Sequence, residues 1–398
     1  MEKVRLGIIG LGNMGTSHIK NFNSGKIPNG VITAVCDIDE AALKNGAELV
    51  DHEVKTYTDA IEMINSDDID AVLVAVPHYL HPVYGMEALK AGKHVLVEKP
   101  AGVYAKAVSE LNAMADKSNK IFGVMFNQRT NPLYKKLKDL IDGGELGEIT
   151  RVNWIITDWY RTQQYYDSGS WRATWEGEGG GVLLNQAPHQ LDLIQWLCGV
   201  PSKVTAHCGY GKHHDVEVED DVTIFMEYPN GATGVFVTTT GDYPGTNRLE
   251  IAGTRGKVVV EKANSECLGI VDTHINFYRN REDLAKHTVE CPMGFSGPDC
   301  WKCKIEVNGD NFQHSGILTN FFNAILKGDK LIAPGQEGIN GVRLSNAAHM
   351  SDWLGSVPIE FPVDEDKFYE MLQDKIKNST KEKKVVANNG PADLGNTY

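Results

Sequence analysis

The sequence predicts an α/β protein with two unlike halves. The first half is predicted to be a doubly wound parallel sheet, because short apolar runs alternate there with helical segments. A glycine-rich turn follows the first apolar run, as is typical of such sheets. After residue 123 most strand-like runs follow one another without helices. That pattern predicts an α+β domain with an open, mostly antiparallel sheet.

The first strand and its turn come at the start of the chain. Residues 4–9 form a short, mainly apolar run with the length and composition of a fully buried parallel strand. The run breaks at Gly10, Gly12 and Gly15, the spacing G-x-G-x-x-G that begins a Rossmann dinucleotide site. A helix is predicted from Met14 onward, and its free N–H groups would bind phosphates. Taken alone, the motif is equally compatible with an ordinary strand-to-helix turn.

Asp37 favours the dinucleotide interpretation. A second apolar strand, 31–36, ends at Asp37, about 20 residues after Gly15, where a carboxylate can accept hydrogen bonds from an adenosine ribose. A carboxylate would also repel a 2′-phosphate, which favours NAD over NADP. Asp37 is also a candidate N-cap of the next helix, and the two roles are compatible.

The rest of the first half repeats the alternation. Its predicted elements are helices over 59–66 and 81–91 and strands over 71–76 and 94–97. The fourth strand ends at Glu98-Lys99-Pro100, at the sheet edge where ligands collect. A lysine there can hydrogen-bond a substrate oxygen and stabilise negative charge, although Lys-Pro is also a plain strand terminator.

The second half is predicted to be α+β. Its predicted strands are 149–156, 203–208, 222–227, 234–240, 249–253 and 257–261, and its predicted helices are 132–143, 182–197, 316–326 and 338–354. An irregular insertion is expected at 276–313. The predicted domains are therefore 1–123 for the dinucleotide and 124–374 for substrate and oligomerisation, followed by a polar, fraying tail at 375–398.

Charge and composition limit the partners. The chain has 398 residues and a net charge of −14 at pH 7, which disfavours nucleic acid and anionic membranes. A small neutral substrate fits better. No apolar run approaches the ~20 residues of a membrane span and no signal-peptide cleavage pattern is present, so we expect a cytoplasmic protein.

The cysteines predict a reducing compartment. Their number, seven, is odd and their spacing is scattered, unlike a disulfide framework. Cys300 and Cys303 are spaced as in a zinc knuckle, with Cys291 and His287 or His314 as further candidates. The second ligand pair lacks regular spacing, so we expect no metal.

A second segment with catalytic character follows the glycine run 179–181. On the predicted helix 182–197, Asn185, His189 and Asp192 would share one face and form a pocket wall. His189 could take a hydroxyl proton as a hydride leaves the same carbon. A structural role for this histidine is the alternative.

Three stretches of the chain closely resemble the Gfo/Idh/MocA oxidoreductases: GIIGLGNMGTSH, VAVPHYLHPVYGMEALKAGKHVLVEKPAG and GGGVLLNQAPHQLDLIQWLCG. The resemblance covers residues 3–260 and, more loosely, the helices up to 355. It implies a Rossmann domain, NAD(P) at the domain junction, and an open C-terminal sheet that carries substrate on one side and often pairs with another subunit. The substrates it implies are sugars, polyols or related cyclic compounds.

The resemblance also implies roles for individual residues. Lys99 corresponds to the catalytic lysine and His189 to the catalytic histidine. Trp171 and Arg172 resemble a pair that approaches the cofactor, and Gln128 lies where the family lines the nicotinamide pocket. The expected cofactor contacts are Gly10, Gly12, Asn13, Met14, Gly15, Asp37, Ala75, Pro77, His78, His81, Glu98, Lys99, Gln128, Trp171 and Arg172. The expected substrate contacts are Asn185, Asp192, Lys99, Arg129 and Tyr160.

The chain departs from the family at Asn185, where many members have Asp. An amide cannot accept a proton, so acid–base work falls to His189 with Lys99, and Asn185 is left to orient a hydroxyl. This departure resembles the branch that acts on pyranosides and nucleotide sugars, often at C3. Six aromatic residues fit stacking on a sugar ring, with a core role as the alternative for several: Trp154, Trp159, Tyr160, Tyr165, Trp171 and Trp175.

The sequence therefore predicts an NAD-dependent dehydrogenase acting on a secondary hydroxyl of a pyranose or glycoside, assembled as a homodimer or homotetramer through the C-terminal sheet. One alternative is a redox-neutral enzyme with tightly bound NAD that performs oxidation-assisted glycoside cleavage, epimerisation or sugar-to-sugar hydride transfer. Another is a non-catalytic sugar or NAD sensor, against which Lys99 and His189 count.

Overall fold

A computed structural model describes residues 3–261, 274–383 and 385 of the chain. Within this range the first half forms a six-stranded parallel sheet with the order β3-β2-β1-β4-β5-β6. Its strands are β1 Val4–Ile9, β2 Gly30–Cys36, β3 Lys55–Tyr57, β4 Ala71–Val74, β5 His94–Val97 and β6 Phe122–Val124. Its helices are α1 Asn13–Asn23, α2 Glu40–Leu49, α3 Ala60–Asn65, α4 Leu80–Lys90 and α5 Ala105–Lys117. The predicted doubly wound sheet is confirmed.

The central strands explain why the sequence shows continuous apolar runs. Every residue of β4 is buried, and Val95, Leu96 and Val97 of β5 are buried as well. Helices cover both faces of a parallel sheet, so neither face of a central strand needs polar residues. The strand order reverses between β1 and β4, which opens a crevice at the carboxyl ends of these two strands.

The second half contains a mixed sheet, with nine strands in the described residues. Their order is β14-β13-β12-β11-β7-β10-β9-β8-β15, and each neighbouring pair is antiparallel except β7 with β10. The strands are β7 Ile149–Ile156, β8 Lys203–Tyr210, β9 Glu219–Glu227, β10 Thr233–Thr239, β11 Asn247–Gly253, β12 Gly256–Glu261, β13 His274–Asn280, β14 Cys300–Glu306 and β15 Ile359–Glu360. The predicted mostly antiparallel sheet is confirmed.

The second half also contains seven α-helices in the described residues. They are α6 Pro132–Asp142, α7 Gln163–Asp167, α8 Pro188–Cys198, α9 Leu284–Glu290, α10 Gln313–Lys327, α11 Gly338–Trp353 and α12 Glu365–Lys377. Phe321 and Phe322 of α10 are buried in the core of the first half, and Leu344 of α11 is buried in the core of the second. The two halves are therefore joined by packing as well as by the chain.

The predicted helix 182–197 is wrong in its first part. Residues 182–187 form irregular turns, in which the N–H of Asn185 bonds the carbonyl of Gly181 at 3.0 Å, and α8 begins only at Pro188. Proline fits the first turn of a helix, and it disfavours helical backbone at the residue before it. Asn185 therefore does not share a helix face with His189 and Asp192.

The irregular insertion expected at 276–313 is also not what the structure shows. β13 and β14 extend the sheet, and Ile275 and Phe277 alternate into the core. Cys300 and Cys303 are three positions apart on β14 and so point to opposite faces of the sheet, unlike a zinc knuckle. In the described residues no three His, Cys, Asp or Glu side chains form a group that could hold a metal ion.

The chain after α12 packs back onto the second domain. Ser379 hydrogen-bonds Glu217, Lys381 pairs with Asp215, and the Lys383 ammonium donates to the backbone oxygen of Tyr166 at 2.6 Å. Residues 384 and 386–398 of the predicted tail, like Cys267, lie outside the described residues. Over the described ranges, no helix is both long and apolar enough to cross a membrane.

Candidate active site

The three glycines of the turn after β1 have three different surroundings. Gly10 has φ +92°, and a Cβ there would lie 2.5 Å from the carbonyl oxygen of Ala75. A Cβ on Gly15 would lie 2.0 Å from the carbonyl oxygen of Gly10, so helix and turn can approach only without it. A Cβ on Gly12 would meet no atom within 4 Å. The open side of Gly12 is therefore where a ligand can approach bare backbone.

The start of α1 completes this cradle. α1 begins at Asn13 and includes Met14, and its N-cap residue Gly12 makes no side-chain hydrogen bond to the helix. The first N–H groups of a helix have no acceptor within the helix and can bind phosphate oxygens, and the first turn of α1 has no acidic residue to repel them. The residues present fit the pyrophosphate of a dinucleotide.

Asp37 lies beside the same turn, at the end of β2. One carboxylate oxygen accepts the N–H of Leu11 at 2.7 Å, and the other accepts the N–H of Asp39 at 2.9 Å. The N-cap of α2 is Asp39, which accepts from Ala41 and Ala42. The N-cap alternative for Asp37 is therefore wrong, and its carboxylate instead faces the glycine turn.

The ends of β4 and β5 are tied together by His81. Its ring nitrogens lie 2.7 Å from the Pro100 carbonyl and 2.8 Å from the Val76 carbonyl. His78 follows Pro77. Its ring packs edge-on against the ring of Trp171 from the second domain, with 5.5 Å between the ring centroids. Of this group of expected cofactor contacts, His81 thus braces the loop and His78 joins the two domains.

Glu98 is buried behind the sheet edge. Its Oε1 lies 2.6 Å from Nε2 of His18, and its Oε2 accepts the backbone N–H of Lys99 at 3.1 Å. Burial opposes ionisation, but the His18 hydrogen bond and nearby positive charge outweigh it and lower the pKa of Glu98 to about 2. The carboxylate is therefore a fixed negative charge under Lys99.

Lys99 crosses from the first domain to the second. Its ammonium donates to the backbone carbonyl of Asn185 at 2.9 Å. Burial lowers the pKa of Lys99, while the carboxylates of Glu98 and Glu178 oppose that shift. The two segments that the sequence singled out, one from each half, thus meet in one cleft.

His189 lies on the first turn of α8, and its side chain is buried. The centroid of its ring lies 6.4 Å from that of the Phe126 ring. Burial, and then the positive charge of Lys99, lower the pKa of His189 well below its ordinary value. The imidazole is therefore neutral at pH 7, the form that can accept a proton.

Asn185 lies in a hydrogen-bonded chain of side chains. Its Oδ1 accepts the Tyr165 hydroxyl at 3.2 Å, and its Nδ2 donates to Glu178. The Tyr165 oxygen in turn accepts from Arg172 and from Gln186, each at 3.1 Å. Glu178 was missed from the sequence, although it directly precedes the glycine run.

Arg129 and Asp192, two expected substrate contacts, are bound to each other. Arg129 Nε and Nη2 donate to the two Asp192 carboxylate oxygens at 2.9 and 2.6 Å, and the side chains are 2% and 3% exposed. Nη1 also pairs with Glu337 at 2.5 Å. Gln128, on the same turn, donates to Gln313 at 3.2 Å. The ion pair lies one turn beyond His189 and braces α8.

The aromatic residues divide into two groups. Trp154, Trp159 and Trp175 are buried in the core of the second domain. Tyr165 and Trp171 are half-buried. The guanidinium carbon of Arg172 lies 4.8 Å from the centroid of the Tyr165 ring and 4.6 Å from that of the Trp171 ring. Tyr160 is 46% exposed and contacts Tyr243. Of the six aromatic residues, Tyr165 and Trp171 are thus the ones that lie beside the hydrogen-bonded network of Asn185.

Fold and site together define a dinucleotide-dependent oxidoreductase, and comparison with known proteins agrees. Residues 4–126 match the model of an oxidoreductase family with an NAD-binding Rossmann fold, and residues 134–259 match the GFO/IDH/MocA C-terminal domain. The chain belongs to the Gfo/Idh/MocA family of oxidoreductases. The resemblance, the enzyme class and the NAD cofactor predicted from the sequence are confirmed.

Several relatives carry specific names. The chain is 26% identical to myo-inositol 2-dehydrogenase of Thermotoga maritima over 277 residues, which cover 68% of this chain and 78% of the relative. It is 28% identical to levoglucosan dehydrogenase of Pseudarthrobacter phenanthrenivorans over 298 residues, 65% of this chain and 74% of the relative. Among solved structures, WlbA dehydrogenase of Chromobacterium violaceum in complex with NADH and UDP-GlcNAcA is similar with a TM-score of 0.76 and 27% identity, covering 92% of this chain and 97% of that one.

Proposed function

We propose that the protein is an NAD-dependent dehydrogenase that oxidises a secondary hydroxyl of a pyranose sugar or glycoside, with C3 as the preferred position. The observation that carries this proposal is the hydrogen bond from the Lys99 ammonium to the Asn185 carbonyl at 2.9 Å. It brings a half-buried cation from the Rossmann edge to the segment that leads into His189.

Each side chain has a chemical task in this proposal. Bound NAD, held by the glycine turn and Asp37, supplies the hydride acceptor. Lys99 donates a hydrogen bond to the reacting oxygen and stabilises its negative charge as the proton leaves. His189, neutral because burial and Lys99 lower its pKa, accepts that proton. Asn185 orients the hydroxyl through its amide.

A polyhydroxylated, neutral ring suits the groups around Asn185. Tyr165, Asn185, Gln186 and Arg172 offer donors and acceptors in one network, and Trp171 adds an aromatic face. The relatives named for inositol and levoglucosan act on cyclic polyols and an anhydrosugar by name, and WlbA binds a nucleotide sugar. These names support the substrate class.

The test is a panel of pyranosides, glycosides and polyols incubated with NAD, followed by absorbance of NADH and NMR of the products. Lys99→Met is expected to lower kcat by about 10²- to 10⁴-fold while NADH binding stays intact. Lys90→Met is the control, because Lys90 is exposed on α4 and forms a surface ion pair with Glu87. Near-normal turnover by Lys99→Met would contradict the assignment. Product formation without bulk NADH, with dinucleotide retained through gel filtration, would favour the redox-neutral alternative.

We also propose that the open face of the second sheet pairs with another copy of the chain. Ile155 and Phe225 are each 40% exposed there, although both are large and apolar. Val237 pairs with Ile155 and Val235 with Phe225, so the four side chains form one apolar patch. Phe225→Glu is expected to shift the mass measured by light scattering to that of one chain, and an unchanged mass would count against this interface.

A further inference from the structure

Glu178 is a buried carboxylate that the proposed reaction has not yet used. It precedes the glycine run 179–181 and is buried at the cleft. Its Oε1 accepts from the Asn185 amide, and its Oε2 accepts the backbone N–H of Ala173 at 2.6 Å. Both oxygens act as acceptors, which is the pattern of an ionised carboxylate.

We propose that Glu178 is a positioning residue of the active site, which fixes the amide of Asn185 in one orientation and supplies the negative charge that a family carboxylate at position 185 would place before Lys99. This inference rests on the proposed dehydrogenase function. It names a residue that acts through Asn185 and Lys99 and does not itself bind substrate.

The orientation of Asn185 follows from hydrogen-bond chemistry. A carboxylate can only accept, so the amide must present Nδ2 to Glu178 and Oδ1 to the other side. Oδ1 then accepts the single hydroxyl proton of Tyr165, and the Tyr165 oxygen is left to accept from Arg172 and Gln186. The direction of every bond in this chain is therefore set at Glu178.

The charge of Glu178 acts on Lys99. Lys99 is influenced by two carboxylates, Glu98 and Glu178, which raise its pKa, and by Arg172 and Arg161, which lower it along with burial. Burial raises the pKa of Glu178 itself, and Arg172 and the Asn185 hydrogen bond oppose that shift. Two other charged groups interact electrostatically with Glu178. The negative charge of Glu219 raises the pKa of Glu178, and the negative charge of Glu178 raises the pKa of Lys383. Glu178 thus helps to keep Lys99 protonated, as hydrogen bonding to a substrate oxygen requires.

An exchange of the two side chains tests this arrangement. Glu178→Gln presents an amide to an amide, and Asn185→Asp presents a carboxylate to a carboxylate. Each single variant is expected to lose about 10- to 100-fold in kcat, the range for residues coupled in one hydrogen-bond network, with NADH affinity unchanged within about twofold. The double variant Glu178→Gln/Asn185→Asp restores one amide and one carboxylate, and we expect it to be about tenfold more active than either single variant.

The pH profile separates positioning from a structural role. Removing the negative charge in Glu178→Gln lowers the pKa of Lys99 further, so the alkaline limb of kcat is expected to move to lower pH by about one unit. Glu176→Gln is the matched control, because Glu176 lies two residues earlier in the same segment and is exposed. It is expected to leave both kcat and the alkaline limb unchanged.

The outcomes are distinguishable from failure of the proposed function. If the wild-type protein oxidises none of the pyranosides or polyols, the proposed function fails. If it is active but the double variant is no better than the single ones, or the alkaline limb of Glu178→Gln does not move, the role of Glu178 is overturned. If Glu178→Gln does not fold, circular dichroism of the double variant decides: a folded double variant supports the pairing, and an unfolded one overturns it.

Discussion

Replacing Arg129 by Met tests how the helix that carries His189 is held in place. The guanidinium forms a two-point hydrogen-bonded ion pair with Asp192, at 2.9 and 2.6 Å, and both side chains are nearly inaccessible to water. In the wild-type protein the guanidinium carbon of Arg129 lies 5.4 Å from the ring centroid of Phe126 and 5.4 Å from that of Trp196. Met keeps an unbranched side chain between these rings. The substitution therefore removes the charge with little loss of packing.

The expected magnitude follows from burial. Without Arg129, the Asp192 carboxylate is buried without its partner, which costs about 3–5 kcal/mol in the free energy of unfolding. The double variant Arg129→Met/Asp192→Leu removes both charges, and we expect it to be more stable than Arg129→Met alone. If the pair served substrate binding and not the fold, Asp192→Asn would raise KM and leave stability unchanged.

The first domain offers a matched control. Arg5 pairs with Asp70 through the same two-point geometry, at 3.1 and 2.6 Å, but these side chains are 45% and 39% exposed. Arg5→Met is expected to cost about 1 kcal/mol or less, because solvent screens the exposed pair.

Urea unfolding at pH 7 measures both effects. All seven Trp residues lie at position 154 or later, so Trp fluorescence reports the second domain, and far-ultraviolet circular dichroism adds the first. Equal losses for Arg129→Met and Arg5→Met would refute the argument from burial. So would a double variant that is as unstable as the sum of its single changes.

Three further predictions concern the cofactor site and pH. Gly15→Ala is expected to destabilise the protein, because the added Cβ would lie 2.0 Å from the Gly10 carbonyl oxygen. A Cβ on Gly12 would meet no atom within 4 Å, so Gly12→Ala should keep the thermal midpoint. It should instead weaken NADH binding in a fluorescence titration. Asp37→Ser is expected to raise the preference for NADPH over NADH about tenfold or more, because it removes the carboxylate that binds a ribose and repels a 2′-phosphate; unchanged affinities would contradict this role. Burial lowers the pKa of His314 from 6.5 to about 4, so the unfolded chain takes up a proton first and about 3 kcal/mol of stability is lost as pH falls from 6.5 to 4. His314→Asn should flatten that slope in urea titrations, and an equally steep slope would argue against this source.

The sequence determined the features that depend on neighbours along the chain. The apolar runs of β1 and β5 were predicted with the bounds that the structure has, because a strand buried on both faces is mostly apolar. The glycine spacing predicted the turn, since only glycine allows both the φ at Gly10 and the close approach at Gly15. The edge position of Lys99 followed from the strand it ends.

Local pattern was misleading where two signals competed. The apolar spacing of 182–197 predicted one helix, but Pro188 moved the helix start and placed Asn185 on a turn. At 276–313 the cysteines and Gly-Pro turns concealed the alternation of β13, which packs Ile275 and Phe277 into the core. In both regions the observed arrangement depends on which residues the packed core requires.

Only the tertiary structure decided which polar side chains are partners. Arg129 and Asp192 are distant in sequence, and nothing along the chain indicates that they bind each other. Glu178 and Asn185 were brought together by the turns that replaced the expected helix. Hydrophobic periodicity determines helices and strands through residues that are near in sequence. A buried polar group instead needs a hydrogen-bond partner within about 3 Å, and the packing of distant elements determines which residue that is. The partner is therefore set only when the chain has folded.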